Sequence, residues 1–218
     1  MHERPPRPVR PAVLIGGLLI AYLPVYGGWL ARAAGADLPE AGPWRAIPLN
    51  WTVVALLLLY VFAVERRGLA SLRLIRPSGK DLEWAWYVWG ATMVYSWLIG
   101  LLRPQAGNAG IDTITAMPVL VVLALVVTTA VTEEILWRGY AVERFAALFG
   151  GRLWLGALVS AVIFAAGHVP FFGAEWLVYQ APGALALYGY YLWRRNLVGA
   201  MLLHLLGNLP ILIPTVLS

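Results

Sequence analysis

The chain contains three histidines, and two of them, His168 and His204, fall inside runs apolar and long enough to cross a lipid bilayer. Ionisable groups are expensive in such runs and are functional by default. A third apolar run closes on Glu133-Glu134, with Arg138 following. Helical spacing sorts these groups into faces. Glu134 and Arg138 stand four apart in the favourable acid-before-base order. Phe164 and His168 share that spacing, as do His204 and Asn208, so each pair projects to one side of its helix. Glu133 lies about 100° around the helix from Glu134 and can point elsewhere. The Glu134–Arg138 pair reads equally as an ion pair at a helix end or as part of a site.

A carboxylate can take a proton from water while an imidazole holds that water. An imidazole N–H and an Asn amide can stabilise an oxyanion as it forms. Glu133, His168, His204 and Asn208 therefore suffice for amide hydrolysis without a covalent intermediate. The same donors could instead bind a divalent metal such as zinc, through Glu133, His168 and His204. Other chemistries are excluded. With no cysteine there is no disulfide, thiolate metal site or cysteine nucleophile. No His-Glu-x-x-His, Gly-x-Ser-x-Gly or Gly-x-Gly-Asp sequence occurs, and Gly79-Lys80 leads into Asp81 rather than completing a P-loop.

The elements that must carry these groups follow from composition. The 218 residues are 61% apolar and 12% charged, against roughly 45–50% and 25% in soluble domains. The net charge of +5 is spread between apolar blocks rather than along one surface, which argues for a multispan membrane protein and against nucleic acid. A bilayer core needs roughly 20 helical residues to span. Stretches near that length run over 11–30, 44–64, 84–102, 113–132, 153–172, 176–193 and 197–217. The expectation is an all-α polytopic bundle of about seven transmembrane helices. Its N-terminal helices and basic loop occupy 1–112 and its site-bearing core 113–218, as one integrated domain.

With the N-terminus cytoplasmic, only Arg32, Arg45 and Arg103 fall outside, and the other 13 of 16 Lys and Arg residues fall inside. The tail Met1–Arg10 and the small-x-small sequence Ala31-Arg32-Ala33 resemble a signal peptide, but the long apolar run and the charge count favour a retained anchor. Arg66–Lys80 reads as a positive-inside loop, the alternative being a short helix lying on the lipid surface. Asn196 reads as a turn residue. A hairpin closing at Gly150-Gly151 would bring Glu133 and His168 level, which requires the fourth helix to run on past Arg138 and Arg144 into the cytoplasm. Strict span counting instead puts the two groups near opposite faces of the membrane.

Glu133-Glu134-x-x-x-Arg138, Phe164-x-x-x-His168 and His204-x-x-x-Asn208, in that order, resemble the three signature motifs of the CPBP intramembrane proteases. That family includes CAAX prenyl endopeptidases of the Rce1 type and bacterial bacteriocin-processing or Abi proteins. The resemblance covers about Thr113 to Ile213. It implies an intramembrane endopeptidase acting on a membrane-associated or lipidated peptide or protein. Glu133 would be the catalytic base, His168 would help position the water, and His204 with Asn208 would form the oxyanion site. Glu134, Arg138 and Phe164 would be supporting. The resemblance favours chemistry without a metal cofactor, with zinc as the alternative. The rival readings are a non-catalytic membrane scaffold or immunity-type protein, and a proton-coupled transporter. Fifteen arginines to one lysine point to a GC-rich bacterial source and hence an inner or plasma membrane location.

Overall fold

The computed structural model describes residues 10–36, 42–105 and 107–217. Arg4 and Arg7, on which part of the orientation argument rests, lie outside the described residues. Seven main helices follow one another: α1 (Pro11–Ala33), α2 (Ala46–Ala63), α3 (Gly79–Leu102), α4 (Val119–Leu148), α5 (Leu153–Phe172), α6 (Ala181–Arg194) and α7 (Leu197–Leu217). Among the described residues there is no strand. The protein is a helical membrane bundle, and its central member is α4, against which α1, α2, α5 and α7 all pack.

Five helices (α2 to α5 and α7) are long and apolar enough to cross a membrane, and α1 makes six if its two arms form one span. Those arms, Pro11–Leu23 and Tyr26–Ala33, meet at 70°. The break falls between Leu23 and Tyr26. The expected span over 176–193 is not continuous. A turn at Trp176–Tyr179 precedes α6, whose 14 residues reach about 21 Å at 1.5 Å per residue. A bilayer core is about 30 Å thick. Pro182 fixes where α6 begins, since proline is tolerated only in the first turn.

The expected fourth span also shifts. Thr113 belongs to a short helix, Ala109–Thr115, and α4 starts only after Pro118. It then runs for 30 residues. Its distal part carries its arginines inside the bundle. Arg138 is 0% and Arg144 1% exposed, each enclosed by neighbouring elements. Neither therefore counts as a loop cation, although the charge asymmetry survives their removal. Helix α5 crosses this stretch with no room to spare. A Cβ at Gly156 would press on the Val142 carbonyl oxygen and lie 2.7 Å from the Ala146 nitrogen.

The segment between α2 and α3 is tied to the bundle rather than laid on lipid as a helix. Its one helical piece is the four-residue turn Leu69–Leu72, with Leu72 fully buried. Arg144 pairs with Glu65 and donates to the Ser71 carbonyl at 2.9 Å. Leu197 N–H donates to the Arg73 carbonyl at 2.9 Å. Asn196 does more than turn the chain. Its Oδ1 accepts from Gly199 N–H at 2.9 Å and so caps α7, while its Nδ2 donates to the Ile75 and Arg76 carbonyls.

Candidate active site

The Glu-Glu-x-x-x-Arg sequence lies where α4 changes its winding. From Glu134 to Val142 the backbone is π-helical over nine residues, all of them buried. Bonds from i to i+5 are poorer than α-helical ones and occur mostly as short bulges at functional sites. Here the packing of α1, α5, α7 and the Leu69–Leu72 turn around the segment holds it in place.

Within it, Glu134 and Arg138 are both fully buried, and Arg138 Nη1 donates to Glu134 Oε1 at 2.9 Å. The same carboxylate oxygen lies 2.7 Å from His204 Nδ1. His204 is thereby fixed through one ring nitrogen, and its Nε2 stands 4.0 Å from Glu133 Oε2. The Glu134–Arg138 pair is therefore an internal element of the site, not a surface ion pair at a helix end. It fixes the orientation of an imidazole contributed by another helix.

Phe164 connects the second motif to the first. Its ring lies 4.7 Å from the Arg138 guanidinium carbon, and Tyr188 packs on that guanidinium at 4.2 Å. Two aromatic faces thus solvate a charge that water does not reach. Phe164 also stacks against His168, ring centres 4.0 Å apart, and its carbonyl oxygen lies 2.8 Å from His168 Nδ1. A carbonyl can only accept, so Nδ1 carries the proton and Nε2 is left as an acceptor. Trp176, from the turn that interrupts the expected sixth span, stacks on the imidazole at 5.0 Å.

Glu133 and His168 face one small cavity of about 70 Å³. The hairpin through Phe149 to Arg152 therefore sets the two groups level, and the span-counting alternative does not describe the fold. Leu136, Trp137, Phe164 and Gly167 complete part of the wall, and Tyr26 and Asn50 bring α1 and α2 to it. His204 borders Glu133 from the side of Glu134. Asn208 stands apart, with its Nδ2 donating to Thr129 Oγ1 at 3.2 Å, one turn before Glu133 on α4. The structure thus gathers Glu133, Glu134, Arg138, Phe164, His168 and His204, and leaves Asn208 docked a turn away.

Among the described residues, no three His, Asp or Glu side chains are gathered closely enough to hold a metal ion.

Sequence reasoning missed Tyr26, Asn50, Thr129 and Trp176. Asn50 had a signal, being a carboxamide in an apolar run, but it belongs to no motif. Tyr26 and Trp176 look in sequence like interfacial aromatics. Only the bend after Leu23 and the turn before α6 carry them inward.

Residues 115–210 match the family model of the type II CAAX prenyl endopeptidase Rce1-like proteins. An uncharacterized 24.3 kDa protein of Escherichia coli is 28% identical over 122 residues, covering 53% of this chain. The match takes in 56% of that protein, so the chain spans about half the length of the curated relative it matches. No solved structure matches the chain. The α4–α7 region that holds the three motifs is the matched region, and the chain is a helical membrane protein whose segment 115–210 is similar to the Rce1-like type II CAAX prenyl endopeptidases.

Proposed function

We propose that the protein hydrolyses a peptide bond of a membrane-associated or lipidated peptide, using a water molecule activated between Glu133 and His168. The observation that carries this reading is that both groups line one cavity of about 70 Å³ within an otherwise apolar bundle. That volume has room for a small number of waters, each needing at least about 10–15 Å³. It does not hold a peptide.

The reaction follows from the positions of the groups. Glu133 takes a proton from a water that also donates to His168 Nε2, and the hydroxide oxygen bonds to the carbonyl carbon. The carbonyl π pair moves to oxygen, and donors aimed at that oxygen lower the barrier. His204, whose Nδ1–H is held by Glu134, is the nearest candidate donor through Nε2 when both ring nitrogens carry a proton. Asn208 supplies a second donor once its amide leaves Thr129. The tetrahedral centre then collapses, the C–N bond breaks, and Glu133 returns its proton to the departing amine. The products are one carboxylic acid and one amine. Glu134, Arg138 and Phe164 touch no substrate in this scheme and are positioning residues.

The test is cleavage of a library of lipid-anchored peptides by purified protein in bilayer nanodiscs. Wild type is run beside Glu133→Gln, each with and without a chelator. Cleavage by wild type alone, unchanged by chelator, is the expected result. Equal cleavage by Glu133→Gln overturns the assignment, and failure of wild type to cleave any peptide overturns the hydrolase reading for this substrate class.

A further inference from the structure

Asn50 lines the same cavity as Glu133 and His168 but comes from α2, outside the segment shared with the family. It occupies the inward stripe of that helix. Val53, Val54, Leu57 and Val61, at positions three, four, seven and eleven beyond it, are all buried. A polar side chain on such a stripe ordinarily finds a partner, because an unpaired amide in apolar surroundings costs on the order of 1–3 kcal/mol. Among the described residues, none forms a hydrogen bond with the Asn50 side chain. Its neighbour Trp51 donates Nε1–H to Thr128 Oγ1 at 3.1 Å, which pins this turn of α2 to α4 just before Glu133. Asn50 is therefore held at the cavity with both halves of its carboxamide free.

A carboxamide pairs one donor and one acceptor in a plane, the complement of a peptide group. Inside a bilayer every backbone N–H and C=O needs a partner. A peptide unwound around its scissile bond has lost its helical ones. We propose that Asn50 hydrogen-bonds the substrate backbone beside the scissile bond, replacing bonds lost on unwinding and setting the register against Glu133. The proposal rests on the hydrolase reading above and names a residue through which the site selects unwound chain.

Using the best peptide from the nanodisc library, Asn50→Leu removes both bonds at similar volume, and Asn50→Asp removes the donor. Each is expected to lower kcat/KM about tenfold to a hundredfold. A substrate with an ester in place of a flanking amide lacks one backbone N–H. It should lose rate with wild type and lose little more with Asn50→Leu, a non-additivity that a packing role would not produce. Additive losses, or wild-type rates in both variants, overturn the proposal. A second measurement needs no turnover. The chain has no cysteine, so Asn50→Cys in the Glu133→Gln background provides a single thiol. It should crosslink to cysteine-bearing library peptides at one or two adjacent positions. Absence of a crosslink at every position overturns the proposal. An active Glu133→Gln overturns the hydrolase assignment instead, so the two failures are distinguishable.

Discussion

Arg138 and Glu134 are buried completely, and the cost of removing either one is set by the groups around them. Arg138→Met preserves most of the apolar stem but leaves the Glu134 carboxylate with only His204 Nδ1. Its Oε2 already lacks a partner. Glu134→Leu leaves the guanidinium with the Ala184 carbonyl at 3.5 Å and two aromatic faces. Breaking a buried pair from one side costs about 3–5 kcal/mol, because a charge remains unpaired. Replacing both partners by apolar groups is close to neutral for the pair itself. The double variant then loses mainly through the orphaned His204 Nδ1, about 1–3 kcal/mol. In a chain of this size 1 kcal/mol corresponds to about 2–4 °C of Tm. Each single substitution should lower Tm by about 6–20 °C, and the double by about 2–12 °C. The assay is thermal unfolding in detergent micelles followed by tryptophan fluorescence. A double variant as damaged as the sum of the singles would refute the claim that an uncompensated buried charge dominates.

Other perturbations test other parts of the account. Gly156→Ala drives a methyl into the α4 backbone at Val142 and Ala146, and overpacking of that kind costs about 1–3 kcal/mol, read as a lowered Tm. Gly167→Ala places a Cβ 2.6 Å from the Tyr26 hydroxyl. It should displace Tyr26 from the wall and change the preferred peptide length in the nanodisc assay, whereas an unchanged length profile would remove Tyr26 as a boundary of the site. Asn208→Ala should lower kcat by about 10²–10³-fold with little change in KM if its amide reaches the oxyanion. An unchanged kcat would confine Asn208 to docking α7 against Thr129.

Much of the fold was legible because a bilayer imposes a length on apolar runs, and a helical bundle follows from composition and charge. The path of the chain inside the bundle was less accessible. Hydropathy does not distinguish a helix surrounded by lipid from one surrounded by protein, so 176–193 looked like a span although Pro182 and the Trp176 turn break it. Arg144 looked like an exposed loop charge because its partner, Glu65, is recognisable only after folding, and the Glu134–Arg138 pair, visible in the spacing, carried no sign that it is buried. The motif spacing placed Glu133, His168 and His204 on three helices that do meet. The π segment that begins at Glu134 has no signature of its own, since tertiary packing rather than local preference sustains it. Tyr26 and Asn50 were hidden for the same reason.

The central claim is that Glu133 removes the proton from the attacking water, and single-turnover cleavage of one library peptide by Glu133→Gln measures it most directly. Glutamine keeps the shape of the side chain and abolishes its basicity. With the unfolding midpoint unchanged, the account predicts a rate constant about 10²–10⁴-fold below wild type. A rate within tenfold of wild type would contradict it.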